Sequence, residues 1–187
     1  MRTDLPIPTR RFDLVSLDAS FAGERYQGWL SNENVNRYLE TRFLSQDGDA
    51  LIAYVNQILE SVHSYLFAIV ARESGAHIGN IKIGPINPVH SSAAIGLVIG
   101  EHEWWGKGVA TEVIGALSEW GFAELKLAKI TAGSYASNRG SIKAFLTCGF
   151  RQEGLQESQV MLRTGERDDV VLLGKLNPAD AVGGAGG

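Results

Sequence analysis

Cysteine occurs once in the 187 residues, at Cys148, which rules out a disulfide framework and a cysteine-rich metal site. A lone thiol reads as a buried packing residue rather than a nucleophile, and no metal is expected. No basic run is present and the net charge is -4, so nucleic acid is excluded as a partner. No apolar run approaches the length that crosses a bilayer, so no membrane association is expected. Met1-Arg-Thr-Asp-Leu-Pro-Ile-Pro8 lacks the apolar core of a signal peptide, and the expected location is cytoplasmic. There is no internal repeat. What remains is a chain that is 44% hydrophobic, enough for one sizeable core. A single domain over residues 1–176 is expected, followed by a flexible glycine-rich tail over 177–187.

The patterning gives a mixed α/β order. Thr9–Leu17 alternates polar and apolar and predicts a first strand. Ser20–Leu30 reads as a short amphipathic helix, Ser31 as the cap of a second over Asn32–Leu39, and Asp49 as the cap of a third. Ser64–Ala71 and His77–Ile83 predict a hairpin, and the turn-rich Gly84–Ser92 leads to a central strand, Ile95–Ile99. From Val109 the apolar residues Val113, Ile114, Leu117 and Trp120 recur at helical spacing. Ile130–Tyr135 predicts a strand, and Asn138 caps a helix that runs to Thr147 and ends at Gly149. A strand opens at Phe150, and Gln159–Arg163 pairs with Val170–Lys175 as a last hairpin.

The organising stretch is Ile95-Gly-Leu-Val-Ile-Gly-Glu-His-Glu-Trp-Trp-Gly-Lys-Gly-Val-Ala-Thr-Glu-Val-Ile114, read as strand, glycine turn and helix. A helix that opens on glycines offers unpartnered N–H groups and the positive end of its dipole, which suits a phosphate. A Walker loop needs Ser or Thr after Gly-Lys, but Lys107 is followed by Gly108. A dinucleotide fingerprint needs a third glycine where Thr111 stands. The stretch resembles instead the acetyl-coenzyme A loop of the GNAT N-acetyltransferases, Gln/Arg-x-x-Gly-x-Gly/Ala. Gly106, Gly108 and Ala110 take the glycine-type positions, and Trp105 stands where that family has Gln or Arg. Trp105-Gly-Lys-Gly-x-Ala-Thr-Glu112 is similar to the branch of ribosomal-protein and amino-sugar acetyltransferases. Ser137-Asn-Arg-Gly-Ser-Ile142 followed by Phe145-Leu-Thr-Cys-Gly-Phe150 resembles the second family hallmark, Asn-x-x-Ser and Gly-Phe.

The resemblance spans Phe12 to Lys175 and implies a GNAT fold, α/β with one mixed central sheet, and acetyl-CoA as cofactor. It implies cofactor contacts from Val98, Ile99, Gly100, Trp105, Gly106, Lys107, Gly108, Val109, Ala110, Thr111, Asn138, Ser141 and Phe145. The amide of Asn138 and the hydroxyl of Ser141 suit an amide-rich pantetheine arm. One departure stands out: the family's Tyr, which protonates the leaving thiolate, is Phe145 here. Ser141, Ser137 or water is left as the proton source, or the thiolate leaves unassisted.

Acetyl transfer to an amine needs a neutral amine beside the thioester, held by proximity, and amides for the developing charge. Backbone N–H groups around Val98–Gly100 are the expected donors. Glu101, where the central strand ends, is the expected base, with Ser141 the second catalytic candidate; Glu103 and His102 read as solvated neighbours. The segment Trp29-Leu-Ser-Asn-Glu-Asn-Val-Asn-Arg-Tyr-Leu-Glu-Thr-Arg-Phe43 resembles that of acetyltransferases of nucleotide-linked amino sugars. It implies an acceptor wall in which Arg37 and Arg42 meet phosphates, Tyr38 stacks and Glu40 orients the amine. His90, in the loop before the central strand, is a further acceptor candidate. The expected partner is a small-molecule amine, with a homodimer left open. The alternatives are a protein N-terminal acceptor, as in the ribosomal branch, and a coenzyme A-binding module without turnover.

Overall fold

The computed structural model describes residues 6–43 and 48–179. Its strands are β1 (Ile7–Pro8), β2 (Phe12–Ser16), β3 (Tyr65–Ala71), β4 (His77–Ile83), β5 (Ser92–Ile99), β6 (Lys129–Tyr135), β7 (Arg151–Met161) and β8 (Arg167–Leu176). Its α-helices are α1 (Glu24–Ser31), α2 (Glu33–Asn36), α3 (Gly48–Glu60), α4 (Val109–Ala123) and α5 (Arg139–Thr147). The strands form one sheet in the order β1-β2-β3-β4-β5-β6-β8-β7, antiparallel except where β5 meets β6. The expected α/β fold with a single mixed sheet is what the chain forms.

Strand alternation sorts the sheet into two faces. Phe67, Ile69, Ile81, Ile83, Ile95 and Ile130 point to one face and pack with Val113, Ile114 and Leu117 of α4 and Phe145 of α5. Leu66 and Ala68 point to the other and pack with Tyr26, Trp29 and Leu30 of α1 and Leu51, Val55 and Ile58 of α3. The cofactor-type loop and α4 thus lie on one face, and the Trp29–Phe43 segment on the other.

Three expectations change. The helix expected over Asn32–Leu39 is only the four residues of α2, and its cap is Asn32, whose side chain accepts from the Asn34 amide at 3.0 Å, rather than Ser31. The buried side-chain amide of Asn36, the last residue of α2, donates to Leu30 O at 2.5 Å and closes the end of α1. The chain resumes as a 3-10 turn over Glu40–Phe43, so Tyr38 and Arg42, or Arg37 and Glu40, do not share a helix face. The two strands expected near Phe150 and Gln159–Arg163 are one strand, β7, kept continuous by register shifts against β8 between Gln152/Gly154 and Gln156/Val160. Most of the polar turn Ser45–Asp49, residues 45–47, lies outside the described residues, as do 180–187 of the expected tail. Asn177 belongs to the domain: its amide bonds to Ala128 O at 2.9 Å and its side chain to Leu127 O at 3.1 Å.

Candidate active site

β5 and β6 run side by side only at their starts, through the pairs Ser92–Lys129, Ala93–Ile130 and Ala94–Thr131, and then part. Burial follows: Ile95 is buried, Gly96 exposed, and Leu97, Val98 and Ile99 half-buried. Gly84 N–H bonds to Ala94 O and Gly100 N–H to Ile78 O, so the even-numbered residues of β5 face β4. Alternation turns the N–H and C=O groups of Leu97 and Ile99 into the gap left by β6. This corrects the expected donors: the Gly100 amide is spent on β4, and Leu97, absent from the sequence-based set, joins Ile99 at the open edge. Val98 sits on the edge by its neighbours and not by its own amide.

The loop after β5 folds back onto that edge. The Trp105 indole N–H donates to Ile99 O at 2.8 Å, so this Trp ties the loop to the strand end. Gly106 and Gly108 have φ of +71° and +75°, a region that favours glycine. A Cβ at Gly106 would meet nothing within 4 Å, so the requirement there is backbone conformation and not space. Gly108 precedes α4 with no side-chain cap, leaving the first amides of the helix unpartnered by side chains. Val109 is buried in the core and can offer only its amide, while Ala110 and Thr111 are half-buried and Lys107 is exposed. Behind the loop, the Arg11 guanidinium donates to Lys107 O at 3.0 Å and to the Glu112 carboxylate at 2.8 Å, and Thr9 Oγ1 reaches Glu112 at 2.7 Å. Burial pushes the Glu112 carboxyl up, but the bonds from Thr9 and Arg11 outweigh it and hold it below the usual range. The turn between β1 and β2 thereby clamps the first turn of α4.

Across the gap, β6 ends at Tyr135 and α5 begins after Asn138, whose side chain accepts from Ser141 N at 3.3 Å. That bond uses one oxygen lone pair and leaves the Asn138 NH2 and the Ser141 hydroxyl for other partners. Ser137 is less free: its hydroxyl donates to Asp168 at 2.7 Å. Phe145 is corrected outright. It is 2% exposed, packed edge-to-face on Phe150 with ring centroids 5.0 Å apart, and belongs to the core.

The opposite face carries the Trp29–Phe43 segment across the mouth of the gap. At the β5 side, the Trp29 indole lies over Gly100 and donates to Glu101 Oε1 at 3.3 Å, and Arg25 meets the same oxygen at 3.3 Å. At the β6 side, the Tyr38 hydroxyl donates to Ser137 O at 3.3 Å, and Tyr135 donates a short hydrogen bond to Glu40. Burial, then the Glu40 carboxylate, pushes the Tyr135 hydroxyl above the usual tyrosine range, so it stays protonated. Arg42 donates to Tyr135 Oη at 3.1 Å, Met161 O at 2.7 Å, Arg37 O at 2.9 Å and Leu39 O at 3.2 Å. Arg37 is exposed, its guanidinium 4.8 Å from the Tyr38 ring centre. Arg25, Trp29 and Tyr135 were not singled out as site residues; the i, i+4 spacing of Arg25 and Trp29 on α1 is the one sequence signal that could have paired them. His90 is corrected: it lies exposed in the loop before β5, with its amide on Asn87, whereas Glu101 follows the far end of that strand. Eight strand residues separate the two ends by about 25 Å. His77 is beside the site but half-buried, wedged between Phe21 and Trp29, and burial lowers its imidazole so that it is neutral at pH 7.

A parallel pair splayed at one end, with a glycine loop opening a helix beside it, suits an extended phosphate-bearing ligand. The chain matches the model of the acetyltransferase (GNAT) domain over residues 11–151. It is 31% identical over 150 residues to the uncharacterized N-acetyltransferase p20 of Bacillus licheniformis, covering 79% of this chain and 83% of that protein. It is 32% identical over 124 residues to the protein named probable N-acetyltransferase YjcK of Bacillus subtilis, covering 65% and 67%. Among solved structures it is similar to spermidine N-acetyltransferase from Vibrio cholerae in complex with CoA and spermine, with a TM-score of 0.79, 23% identity and 89% and 95% coverage. A GNAT acetyltransferase from Bacillus anthracis gives a TM-score of 0.78 at 21% identity, covering 92% and 98%.

The chain belongs to the GNAT family and is an acetyl-CoA-dependent N-acetyltransferase. Its own residues fit that cofactor: positive-φ glycines, uncapped helix amides and an unpaired β5 edge suit a pyrophosphate followed by an amide-rich arm. Among the described residues no group of His, Cys, Asp and Glu could hold a metal ion, and no helix is long and apolar enough to cross a membrane.

Proposed function

We propose that the enzyme acetylates a small molecule carrying a primary amine, of the amino-sugar or polyamine kind, which enters between Trp29–Glu101 and Tyr38–Tyr135. The observation that supports this is the bridge itself: one short segment, residues 24–43, contacts the end of β5 through Trp29 and the end of β6 through Tyr38 and Glu40. An opening spanned this way favours a compact acceptor over a polypeptide lying along a groove. The carboxylates of Glu101 and Glu40 flank it, and each has one oxygen, Oε2, without a side-chain or backbone partner among the described residues. That pairing suits an ammonium group with aromatic surface beside it.

Bound acetyl-CoA supplies an activated acetyl thioester. The chain supplies the rest. The amides of Leu97 and Ile99 are the donors for a carbonyl oxygen in the gap. Glu101 Oε2 takes the ammonium proton, directly or through one water, while Oε1 stays on Trp29 and Arg25. Asn138 and Ser141 hold the amide-rich arm, and the Ser141 hydroxyl is the protein's own candidate for returning a proton.

A nucleotide-linked amino sugar is the second reading, favoured by the exposed Arg37 guanidinium beside the Tyr38 ring. Arg42 no longer supports it, because four protein oxygens already occupy that side chain. Thiol release should be followed with spermidine, glucosamine, a nucleotide-linked amino sugar and short peptides with free N-termini. Turnover of the first two supports the proposal. Efficient peptide acetylation with all small amines inert would overturn it and leave the acetyltransferase assignment intact.

A further inference from the structure

We infer that Trp29 is a positioning residue for Glu101, and that α1 is therefore part of the reaction machinery and not only a wall of the acceptor site. The inference rests on the reading of Glu101 as the group that receives the amine proton. Glu101 follows the last residues of β5, and its own loop supplies no hydrogen bond to its carboxylate. Both groups that hold it come from α1: the Trp29 indole N–H at 3.3 Å and the Arg25 guanidinium at 3.3 Å, both on Oε1. Residues four apart on a helix lie one above the other, so a single helix face presents both donors. With Oε1 doubly engaged, Oε2 is the oxygen left for the acceptor.

The two donors are not equivalent. Arg25 is half-exposed, and such an ion pair is weak because solvent screens it. Trp29 is 5% exposed and held on three sides. Its ring lies against the backbone of Gly100, meets His77 at 4.7 Å and 64°, and meets Tyr26 at 5.9 Å. The indole N–H therefore has a fixed direction, whereas the guanidinium can follow solvent. Arg25 also donates to His77 O at 3.1 Å, which ties α1 to the start of β4 and steadies the same arrangement. Gly100 completes it: only a residue without a side chain lets the indole approach the strand end closely enough to reach Glu101.

The test compares Trp29→Phe, which keeps an aromatic ring but removes the donor, with Glu101→Gln and the double variant, using steady-state kinetics over pH 6–9 and thermal melting. Glu101→Gln should lower kcat by about 100-fold, with the loss shrinking at high pH where free amine is abundant. Trp29→Phe should lower kcat by about 10-fold and shift the pH profile in the same direction, with the acetyl-CoA KM unchanged and only a modest fall in melting temperature from the smaller ring. In the Glu101→Gln background Trp29→Phe should cost nothing further. Equal loss in both backgrounds, or an unaltered kcat and pH profile in Trp29→Phe, would overturn the inference. If Glu101→Gln is itself silent, the reading of Glu101 falls instead, and any loss in Trp29→Phe then belongs to acceptor binding, which also overturns the positioning role.

Discussion

The indole of Trp29 occupies the space that any side chain at position 100 would need. A Cβ built on Gly100 overlaps the ring carbons Cγ, Cδ2 and Cε2. Gly100 has no positive φ, so its requirement is close approach and not backbone conformation. Gly100→Ala should therefore destabilise by about 1–3 kcal/mol, the usual cost of overpacking. In a Trp29→Ala background the same substitution should cost almost nothing. Urea unfolding of the four variants reads the coupling, and an unchanged penalty in both backgrounds would show that the indole is not the obstacle.

Gly108 poses the opposite requirement. Its φ is +75°, and among the described residues beyond its chain neighbours an added Cβ would come within 4 Å of the Arg11 guanidinium nitrogen alone, at 3.8 Å. Space is available, but a β-branched residue is strained in that region and would screen the amides at the start of α4. Gly108→Val should lower acetyl-CoA affinity at least 10-fold by calorimetry while far-ultraviolet dichroism stays native. Lys107→Ala should cost less, because the exposed ammonium is replaced in part by backbone amides and the helix dipole.

Glu112 offers a stability test with a defined sign. Its folded-state carboxyl is held below the usual glutamate range, burial notwithstanding, by Thr9 and Arg11. A depressed carboxyl contributes stability above its unfolded pKa, and that contribution fades as pH falls through the folded value. At pH 7 Glu112→Gln should be less stable by about 1–3 kcal/mol, from lost charged hydrogen bonds. The gap should narrow steadily below about pH 4, where the unfolded carboxyl protonates. A gap that is constant from pH 7 to pH 3 would mean the cost is packing alone.

Much of this was readable before the fold was known. The bounds of β4 and α5, the Asn138 cap and the left-handed Gly149 at φ +85° follow from local rules of periodicity and capping. The glycine loop was readable for the same reason. What escaped is set by partners distant in sequence. Arg11 and Glu112 are 101 residues apart, and neither side chain announces the other. The edge of β5 that faces the gap depends on which residues bond to β4, a register no single strand encodes. α2 ends where Asn36 turns to cap α1, which periodicity cannot foresee. Phe145 was assigned to the cofactor because its position matched a motif, whereas its apolar ring simply went to the core.

That placement of Phe145 can be tested by restoring the hydroxyl the motif would carry. In the core, edge-to-face on Phe150, the added hydroxyl would be buried. Phe145→Tyr should lose about 1–3 kcal/mol of stability and gain no activity. A rise in kcat would mean that this ring reaches the leaving thiol after all.

Arg42 was expected to hold substrate phosphate, and its surroundings now argue for a different effect on removal. The guanidinium joins four protein oxygens from three places in the chain: Arg37 and Leu39 in its own segment, Tyr135 at the end of β6 and Met161 at the end of β7. Its Nε is buried with no partner among the described residues, so the side chain is held at its two outer nitrogens. Its ring neighbours are Phe43 at 4.3 Å and Tyr135 at 5.3 Å. Removing it strands the Met161 carbonyl and frees Tyr135 and Glu40 to move together. Arg42→Ala should therefore lower the melting temperature and raise the acceptor KM for every amine tested, while acetyl-CoA affinity, set at the α4 end, stays within about twofold. Arg37→Ala, on an exposed guanidinium, should leave stability unchanged and raise KM only for a phosphorylated acceptor. A loss in Arg42→Ala confined to nucleotide-linked sugars, with stability intact, would return that residue to the phosphate role and favour the second reading of the acceptor.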